Sequence, residues 1–219
     1  MKREFIFQNG KTLPVGTMYC IGRNYSMHAQ EMGGQADESP VVFIKPPASY
    51  VKDGGIVKLP EISNNIHYET ELVIIIGNKC ENSKIEDALY YIGGYAVGLD
   101  LTLRDLQLQA KKEGNPWAIS KGFRGSAPIS NVVPENQFRY EIPNFELELK
   151  LNGNIVQKGN TSEMVHPIDK LITYLSGIFI LEPGDCIFTG TPEGVGKIQS
   201  GDKLHAELKG FVSLDITAE

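Results

Sequence analysis

Two glutamates at the start of an apolar run have a spacing that indicates chemistry. Glu69 and Glu71 lead into the β-branched stretch from Leu72 to Ile76, which we interpret as a buried strand. Alternate residues of a strand point to the same face, so the Cα atoms of the two glutamates would lie about 7 Å apart. Like charges at that distance repel unless a proton or a cation lies between them. A hard divalent ion such as Mg²⁺, held by oxygen ligands, would relieve the repulsion.

The alternative is a strand end that carries two solvated glutamates, since exposed glutamate is common. A third acid in a matching position favours the metal. Asp100 ends a second apolar run, which begins at Tyr91. Two strands that each end in an acid can close a site of oxygen ligands between them.

A histidine and a glutamate that could act on water lie earlier in the chain. Asn24 and Gly33 are typical of the two ends of a helix, and His28 and Glu31 fall three residues apart on one face of it. A carboxylate beside an imidazole raises its basicity and fixes its orientation, which suits a general base for water. The alternative is a surface ion pair on a polar helix. Gly33 and the glycine after it would allow this segment to move as a lid.

Further polar residues fall in the second half of the chain. Lys121, in the glycine- and proline-punctuated residues 114–128, is a candidate charge in the site, and a solvated loop lysine is the alternative. Arg104 and Gln107 share one face of a predicted helix close to Asp100. The loop over residues 189–196 offers backbone N–H groups and two hydroxyls to an anion, without the spacing of a P-loop.

The elements that must position these residues can be read from periodicity and turn signals. Residues 1–16 carry an Asn-Gly turn and predict an N-terminal hairpin extension, followed by one catalytic domain over residues 17–219. Other predicted elements are a strand over residues 40–45, a short helix over 85–91, a hairpin over 145–157, a helix from Pro167 with Ile168, Leu171, Ile172, Leu175 and Ile178 on its apolar face, a strand over 186–188, and one or two closing strands over 201–219.

Composition and charge exclude several classes of function. The 219 residues are 41% hydrophobic and 22% charged, which is ordinary for one globular domain. The net charge of −6 argues against nonspecific binding to nucleic acid or to an anionic membrane. No signal peptide and no spanning segment is present, and the three widely spaced cysteines fit reduced thiols, so we expect a cytoplasmic protein.

Taken together, the motifs resemble the fumarylacetoacetate hydrolase family, and within it the short single-domain acylpyruvases and oxaloacetate decarboxylases. They are collinear over most of the chain, so the set is far more specific than any one of them. The matching segments are Ile21-Gly-Arg-Asn-Tyr25 with His28 and Glu31, Phe43-Ile-Lys-Pro46, His67-Tyr-Glu-Thr-Glu71, Gly93-Gly-Tyr-Ala-Val-Gly-Leu-Asp100, Thr102-Leu-Arg-Asp105 with Gln107, Lys121-Gly-Phe123, Thr189-Gly-Thr-Pro192 and Gly194-Val-Gly196.

The resemblance implies an α+β fold that is predominantly β, a mixed β-roll or sandwich with a few short helices, and a homodimer. It also implies roles for several of the matching residues. Glu69, Glu71 and Asp100 would bind Mg²⁺ or Mn²⁺; His28 and Glu31 would activate water on a lid helix; Lys121 would stabilise an oxyanion or enolate; and Arg23, Arg104, Gln107, Gly190 and Thr191 would shape or contact the substrate pocket.

The function that follows is metal-assisted cleavage of a C–C bond in a small anionic 2-oxo acid. The chain would hydrolyse acylpyruvates, decarboxylate oxaloacetate, or do both, through a pyruvate enolate. One alternative is an isomerase or tautomerase of the oxaloacetate or 2-hydroxy-diene-dioate type, which needs the enolate but not the water. Another is a non-catalytic metal-binding relative, which predicts a closed coordination shell.

Overall fold

Runs of β-branched and apolar residues make strands the main element of this chain. The computed structural model describes residues 2–33, 38–138, 141 and 143–219. The strands in these residues are β1 (Glu4–Ile6), β2 (Thr12–Pro14), β3 (Met18–Gly22), β4 (Val41–Lys45), β5 (Tyr50–Lys52), β6 (Gly55–Val57), β7 (Ile66–Tyr68), β8 (Thr70–Ile76), β9 (Ile92–Leu99), β10 (Thr102–Leu103), β11 (Ala127–Ile129), β12 (Val133–Pro134), β13 (Glu146–Leu151), β14 (Asn154–Asn160), β15 (Cys186–Phe188), β16 (Gly196–Ile198), β17 (Lys203–Leu208) and β18 (Val212–Ala218).

Helices are few and short. The α-helices in the described residues are α1 (Ser26–Glu31), α2 (Arg104–Glu113), α3 (Ala118–Lys121) and α4 (Ile168–Ser176), and 3₁₀ turns cover Pro47–Ser49, Ile85–Tyr91, Glu135–Gln137 and Thr161–Glu163. None of these helices has both the length and the apolar character needed to span a bilayer.

Strand β8 lies in the middle of an eight-stranded sheet and is buried on both faces. The strand order is β4-β3-β15-β8-β9-β11-β5, with β12 paired to β9. Because successive side chains of a strand point to opposite faces, Leu72 and Ile74 enter a larger apolar core while Val73 and Ile75 enter a smaller one. The uninterrupted apolar sequence of β8 is therefore what a doubly covered strand requires.

A second sheet and one helix cover the larger core. The five-stranded sheet β14-β13-β17-β18-β6 contributes alternate residues such as Leu149 and Ala206, and α4 contributes Leu171. The hairpin of β1 and β2, predicted for residues 1–16, pairs as expected and its Phe5 packs in the smaller core. The result is a curled β sandwich with a few helices, which confirms the predicted fold class; the division of the chain at residue 16 stays a prediction.

The structure corrects three details of the predicted elements. The strand expected through the two glutamates is broken at Glu69. Strand β7 before this residue pairs with β10 and β16 in a separate three-stranded sheet, whereas β8 after it belongs to the large sheet. The expected loop over residues 114–128 contains α3. Ile178 lies beyond the end of α4 and is 57% exposed, so it does not belong to the apolar face of that helix.

Truncation of a side chain in β8 tests the doubly covered strand. We expect Ile74→Ala to lower the free energy of unfolding by about 2–5 kcal/mol, because it leaves a cavity in the larger core. The control is Ile44→Ala on the edge strand β4, where the side chain is 45% exposed and the loss should stay below about 1 kcal/mol. Urea denaturation measures both losses, and equal values would contradict the assignment of β8 to the core.

Candidate active site

The change of sheet at Glu69 brings three acids together. Glu69 lies between β7 and β8, Glu71 lies in β8, and Asp100 follows the last residue of β9, with its backbone N–H donating to the Glu69 carbonyl at 2.8 Å. One oxygen from each carboxylate lies within 4.8 Å of the others. All three residues are buried, with at most 5% of each exposed. The structure therefore places the three predicted metal ligands in one cluster.

Cationic side chains from three segments neutralise two of the three acids. Lys121 of α3 donates to Glu69 Oε2 at 2.7 Å and to Asp100 Oδ2 at 2.6 Å. Arg104 at the start of α2 donates to Glu69 Oε1, and Lys45 at the end of β4 pairs with Asp100 Oδ1 at 2.7 Å. Burial disfavours the charged form of Glu69, but Lys121 and Arg104 outweigh it and hold the pKa of Glu69 well below its usual range.

Glu71 differs from the other two acids. Within the described residues no cationic side chain lies at ion-pair distance from its carboxylate, and the Gly190 N–H donates to Glu71 Oε2 at 2.7 Å. Burial and the charges of Asp100 and Glu69 raise the pKa of Glu71 well above its usual range. A buried carboxylate that faces two others without a cation of its own suits a hard divalent ion with oxygen ligands. The three acids thus fit Mg²⁺ or Mn²⁺.

His28 and Glu31 form the predicted pair on α1. His28 is 6% exposed, and its Nδ1 lies 3.0 Å from Glu31 Oε2. The other oxygen of Glu31 accepts from the Gly194 N–H at 3.1 Å, so the carboxylate connects the histidine to the loop after β15. The histidine ring lines the cleft above the acids, while Glu31 is not among the residues that line it. Glu31 therefore orients the imidazole from behind.

The expected role of Asn24 as the cap of this helix is wrong. The helix begins at Ser26 after Tyr25, without a side-chain cap. The Asn24 amide instead donates to the carbonyl of Thr189 at 2.8 Å and accepts from the backbone N–H of His166 at 2.7 Å. Asn24 thus fastens the start of α1 to the loop that also reaches Glu71. Gly33 ends the helix with φ of +76°; the second glycine of the predicted lid hinge lies outside the described residues.

A narrow cleft with a cavity volume of about 30 Å³ opens above the acids. Its lining residues include the three acids and the predicted Arg23, His28, Arg104, Gln107, Lys121 and Thr191, together with Ile21, Gly22, Met32, Phe43, Lys111 and Trp117. The guanidinium of Arg104 donates to Gln107 Oε1 at 2.7 Å, so the two polar residues of α2 act as one unit. Gly190 is not among the lining residues, and its N–H donates to Glu71.

The hydroxyl of Thr191 is already engaged within the protein. It donates to the Thr70 carbonyl at 2.9 Å and accepts from Gln157 Nε2 at 2.9 Å. Thr191 therefore shapes the wall of the cleft through its position. The structure places Thr191 at the cleft, and its contact with substrate stays a prediction.

Sequence reasoning missed Lys45 as a site residue. Its side chain is fully buried and donates to the carbonyls of Leu101 at 3.2 Å and Ser126 at 3.1 Å, in addition to its ion pair with Asp100. The available signal was its position, because a lysine that ends an apolar strand directly before two prolines is more readily explained by a buried side chain than by a solvated one. The aromatic pair Phe43 and Trp117 also went unassigned.

Comparisons with known proteins find relatives in sequence and in fold. The family described as fumarylacetoacetate (FAA) hydrolase C-terminal matches residues 17–218. Oxaloacetate tautomerase FAHD1, mitochondrial, from Arabidopsis thaliana is 43% identical over 200 residues, which cover 91% of this chain and 89% of the relative. The protein of the same name from Homo sapiens is 40% identical over 203 residues, 91% and 90% of the two chains.

Solved structures resemble the whole molecule. The fumarylpyruvate hydrolase from Pseudomonas aeruginosa, solved in complex with Mn²⁺ and pyruvate, has a TM-score of 0.94 and 36% identity over 99% of this chain and 95% of its own. The 5-carboxymethyl-2-hydroxymuconate delta-isomerase from Mycobacterium smegmatis has a TM-score of 0.82 and 33% identity, covering 95% and 85%. Solved proteins with hydrolase and isomerase names thus share this fold.

The unequal neutralisation of the acids predicts opposite effects of two similar substitutions. In the presence of a chelator, Glu71→Gln should leave the melting temperature unchanged or higher, because it removes a repelled charge. Glu69→Gln should lower the free energy of unfolding by about 3 kcal/mol, because it leaves Lys121 and Arg104 underpaired in a buried site. Added Mn²⁺ should raise the melting temperature of the unaltered protein more than that of either variant. Calorimetry with and without Mn²⁺ measures this, and a loss in chelator for both variants alike would contradict it.

Lys45 should be required for the stability of the site. Lys45→Met leaves buried carbonyls without their donor and Asp100 with one cation fewer, so we expect it to cost about 3 kcal/mol or more. The matched control is Lys52→Met, an exposed lysine at the end of β5, with an expected change within about 0.5 kcal/mol. Guanidinium denaturation measures the free energy of unfolding of both variants. Similar losses would show that the buried ion pair of Lys45 contributes no more to stability than an exposed lysine does.

Proposed function

The chain belongs to the fumarylacetoacetate hydrolase family, and from this and the geometry of the cleft we propose that it cleaves the C–C bond of small 2,4-dioxo acids with a divalent metal. The observation that carries the proposal is the carboxylate-oriented imidazole of His28 on the same cleft as three clustered, buried acids. An oriented base next to a hard-metal site is the set of groups that hydrolysis of a carbonyl compound needs.

The acids Glu69, Glu71 and Asp100 would hold the metal, Mg²⁺ or Mn²⁺. When bound, the metal supplies a Lewis acid for the oxygen atoms of a 2-oxo acid. The Pseudomonas aeruginosa relative, crystallised with Mn²⁺ and pyruvate, supports both the choice of ion and the class of substrate. Three protein carboxylates also leave open positions for substrate, unlike a closed structural site.

The residues of this chain account for the transfer of the proton. His28, held by Glu31, takes a proton from water, and the water oxygen bonds to the distal carbonyl carbon of the substrate. The C–C bond between that carbon and the neighbouring CH₂ breaks, and its electron pair passes into the enolate of pyruvate. The acyl fragment leaves as a carboxylic acid, and the imidazolium returns the proton to the CH₂ carbon of the enolate.

Lys121 is placed to stabilise the negative charge that develops in this step. Burial lowers its pKa, but Asp100 and Glu69 outweigh burial and raise it, so the amine stays protonated at neutral pH. An ammonium has three N–H donors, and two are used by the acids. The third is available to a substrate oxygen in the cleft. Arg23, Arg104, Gln107 and Thr191 would position the substrate around it.

Oxaloacetate is the second candidate substrate, and the names of the Arabidopsis and human relatives favour it. Tautomerisation requires only that a proton move between the CH₂ carbon and the oxo oxygen, which His28 can carry. Decarboxylation reaches the same enolate with carbon dioxide as the leaving fragment. Hydrolysis and decarboxylation share the enolate of pyruvate, whereas tautomerisation passes through the enolate of oxaloacetate itself, with no water added and no C–C bond broken.

We also propose that the chain acts as a homodimer in the cytoplasm. The homodimer is implied by the family resemblance, and the cytoplasm by the cysteine usage and the opening residues. Two relatives carry mitochondrial names, so localisation of the protein in cells tests the compartment. Sedimentation of the purified protein measures the oligomeric state.

Kinetics of base variants test the proposal. With Mn²⁺ present, we expect release of pyruvate from acetylpyruvate, and we expect His28→Ala to lower kcat by about 10²- to 10⁴-fold because the general base is lost. Glu31→Gln should lower it less, because the imidazole remains. Coupling of pyruvate to lactate dehydrogenase measures the rates.

His205→Ala is a matched control, since His205 also carries a carboxylate partner, Asp215 at 2.8 Å, but lies on the second sheet away from the cleft. Its rate should equal that of the unaltered protein. Interconversion of enol and keto oxaloacetate without any pyruvate from either substrate would replace the cleavage proposal with tautomerisation.

A further inference from the structure

One histidine close to the acid cluster has no role in the reaction just described. His67 lies in β7, the middle strand of the three-stranded sheet, two residues before Glu69. Its neighbours Ile66 and Tyr68 are buried in the larger core, so its own side chain points to the opposite face of the strand. The imidazole is half-buried there, in the electrostatic field of the Arg104 guanidinium. Arg104 lines the cleft, whereas His67 is not among the lining residues.

The Arg104 guanidinium is held through two of its three nitrogen atoms. Nη1 donates to Gln107 Oε1 at 2.7 Å, and Nη2 donates to Glu69 Oε1. The third nitrogen, Nε, is buried and has no hydrogen-bond acceptor among the residues that the structure describes. A guanidinium nitrogen can only donate, because the group stays protonated. Arg104 therefore presents one buried N–H that requires an acceptor.

His67 presents the matching acceptor. Its Nε2 lies 3.0 Å from Asn65 Oδ1, and an amide oxygen can only accept, so Nε2 carries the proton. In the neutral ring Nδ1 is then an acceptor. Nδ1 is buried and, like Arg104 Nε, lacks a hydrogen-bond partner within the described part of the chain. Burial and the positive charge of Arg104 lower the pKa of His67, which favours the neutral ring.

The backbone keeps the two side chains close together. Strand β10, which leads directly into α2, is paired with β7. At the start of α2 the Arg104 backbone N–H donates to the Asn65 carbonyl at 2.8 Å, and Asp105 Oδ1 accepts from Ser63 Oγ at 2.6 Å. The segment that carries His67 is therefore fastened to the first turn of the helix that carries Arg104.

We propose that His67 is a positioning residue for Arg104: the Arg104 Nε–H donates to His67 Nδ1, directly or through one water molecule, while His67 Nε2–H donates to Asn65. These bonds fix the rotation of the guanidinium, so that the Nη hydrogens not used by Gln107 and Glu69 are available to a substrate oxygen. The inference rests on the proposed function, in which Arg104 positions the substrate, and it adds the residue that orients the arginine.

The tautomer of His67 tests the hydrogen bond independently of turnover. In the Mg²⁺-loaded protein, ¹⁵N NMR should show Nε2 of His67 protonated and Nδ1 unprotonated, and the Arg104 Nε–H should exchange slowly with solvent. His67→Asn and Arg104→Lys assign the two signals. A proton on Nδ1 would overturn the proposal, and so would an Arg104 Nε–H that exchanges as fast as that of the exposed Arg124.

Two substitutions separate the acceptor from packing. The side-chain oxygen of asparagine takes the place of Nδ1, whereas that of glutamine reaches the place of Nε2, so only His67→Asn keeps the acceptor for Arg104. Calorimetry of pyruvate with the Mn²⁺-loaded protein should give a Kd within about twofold of the unaltered value for His67→Asn and about tenfold higher for His67→Gln. With acetylpyruvate, the same loss should appear in KM, with kcat changed by less than about threefold.

Lys197→Met is the control, because Lys197 is exposed and is the residue of β16 paired with His67; its Kd should equal that of the unaltered protein. Equal affinities of the asparagine and glutamine variants, whether retained or weakened, would show that His67 only packs and would overturn the proposal. Absence of pyruvate binding to the unaltered protein, with the expected NMR signals present, would reject the proposed function and retain the bond between His67 and Arg104.

Discussion

The repulsion among three buried carboxylates is the constraint on which the rest of this structure depends. Glu69, Glu71 and Asp100 lie within 4.8 Å through their nearest oxygens, in a place that water scarcely reaches. In such surroundings like charges repel several times more strongly than in water. Lys45, Lys121 and Arg104, which come from segments distant in sequence, neutralise Glu69 and Asp100. Among the described residues, Glu71 has only a backbone donor, the Gly190 N–H. Because side-chain cations neutralise Glu69 and Asp100 but not Glu71, the cluster keeps a negative charge that suits one divalent ion.

The arrangement of the sheets explains why the acids meet where they do. The chain passes from the three-stranded sheet to the eight-stranded sheet at Glu69, and β9 ends beside that point at Asp100. Gly190 completes the cluster because of its backbone: its φ is +95°, and a Cβ there would lie 2.7 Å from the Cβ of Asn24. A side chain at this position would push the N–H away from Glu71. The site is therefore built on strand ends and on one glycine.

Sequence periodicity predicted the elements whose information is local. The apolar run of β8, the hairpin of β13 and β14, and the three acids at strand ends follow from alternation and turn residues within a few positions. The break at Glu69 could not be read in this way, because it depends on strands β10 and β16 that pair with β7 from far along the chain. Lys45 was missed for the same reason, since its acceptors lie in the segments around residues 101 and 126. Lys111 and Lys112 are adjacent and alike in sequence, and only the rotation of about 100° per residue along α2 separates a cleft residue from a solvated one.

The base and the acids are held by one loop, which couples their positions. The loop after β15 accepts Asn24 at Thr189, donates to Glu71 from Gly190, and donates to Glu31 from Gly194. The start of α1 and the carboxylate that orients His28 are thus fixed to the same short segment that reaches the acid cluster. Because this loop contacts both Glu71 and Glu31, it links the orientation of the imidazole to the position of the acid cluster. In the proposed chemistry the same base and acids would serve a reaction with or without water, so the choice between hydrolysis and tautomerisation would depend on the residues that position water and substrate around this unit.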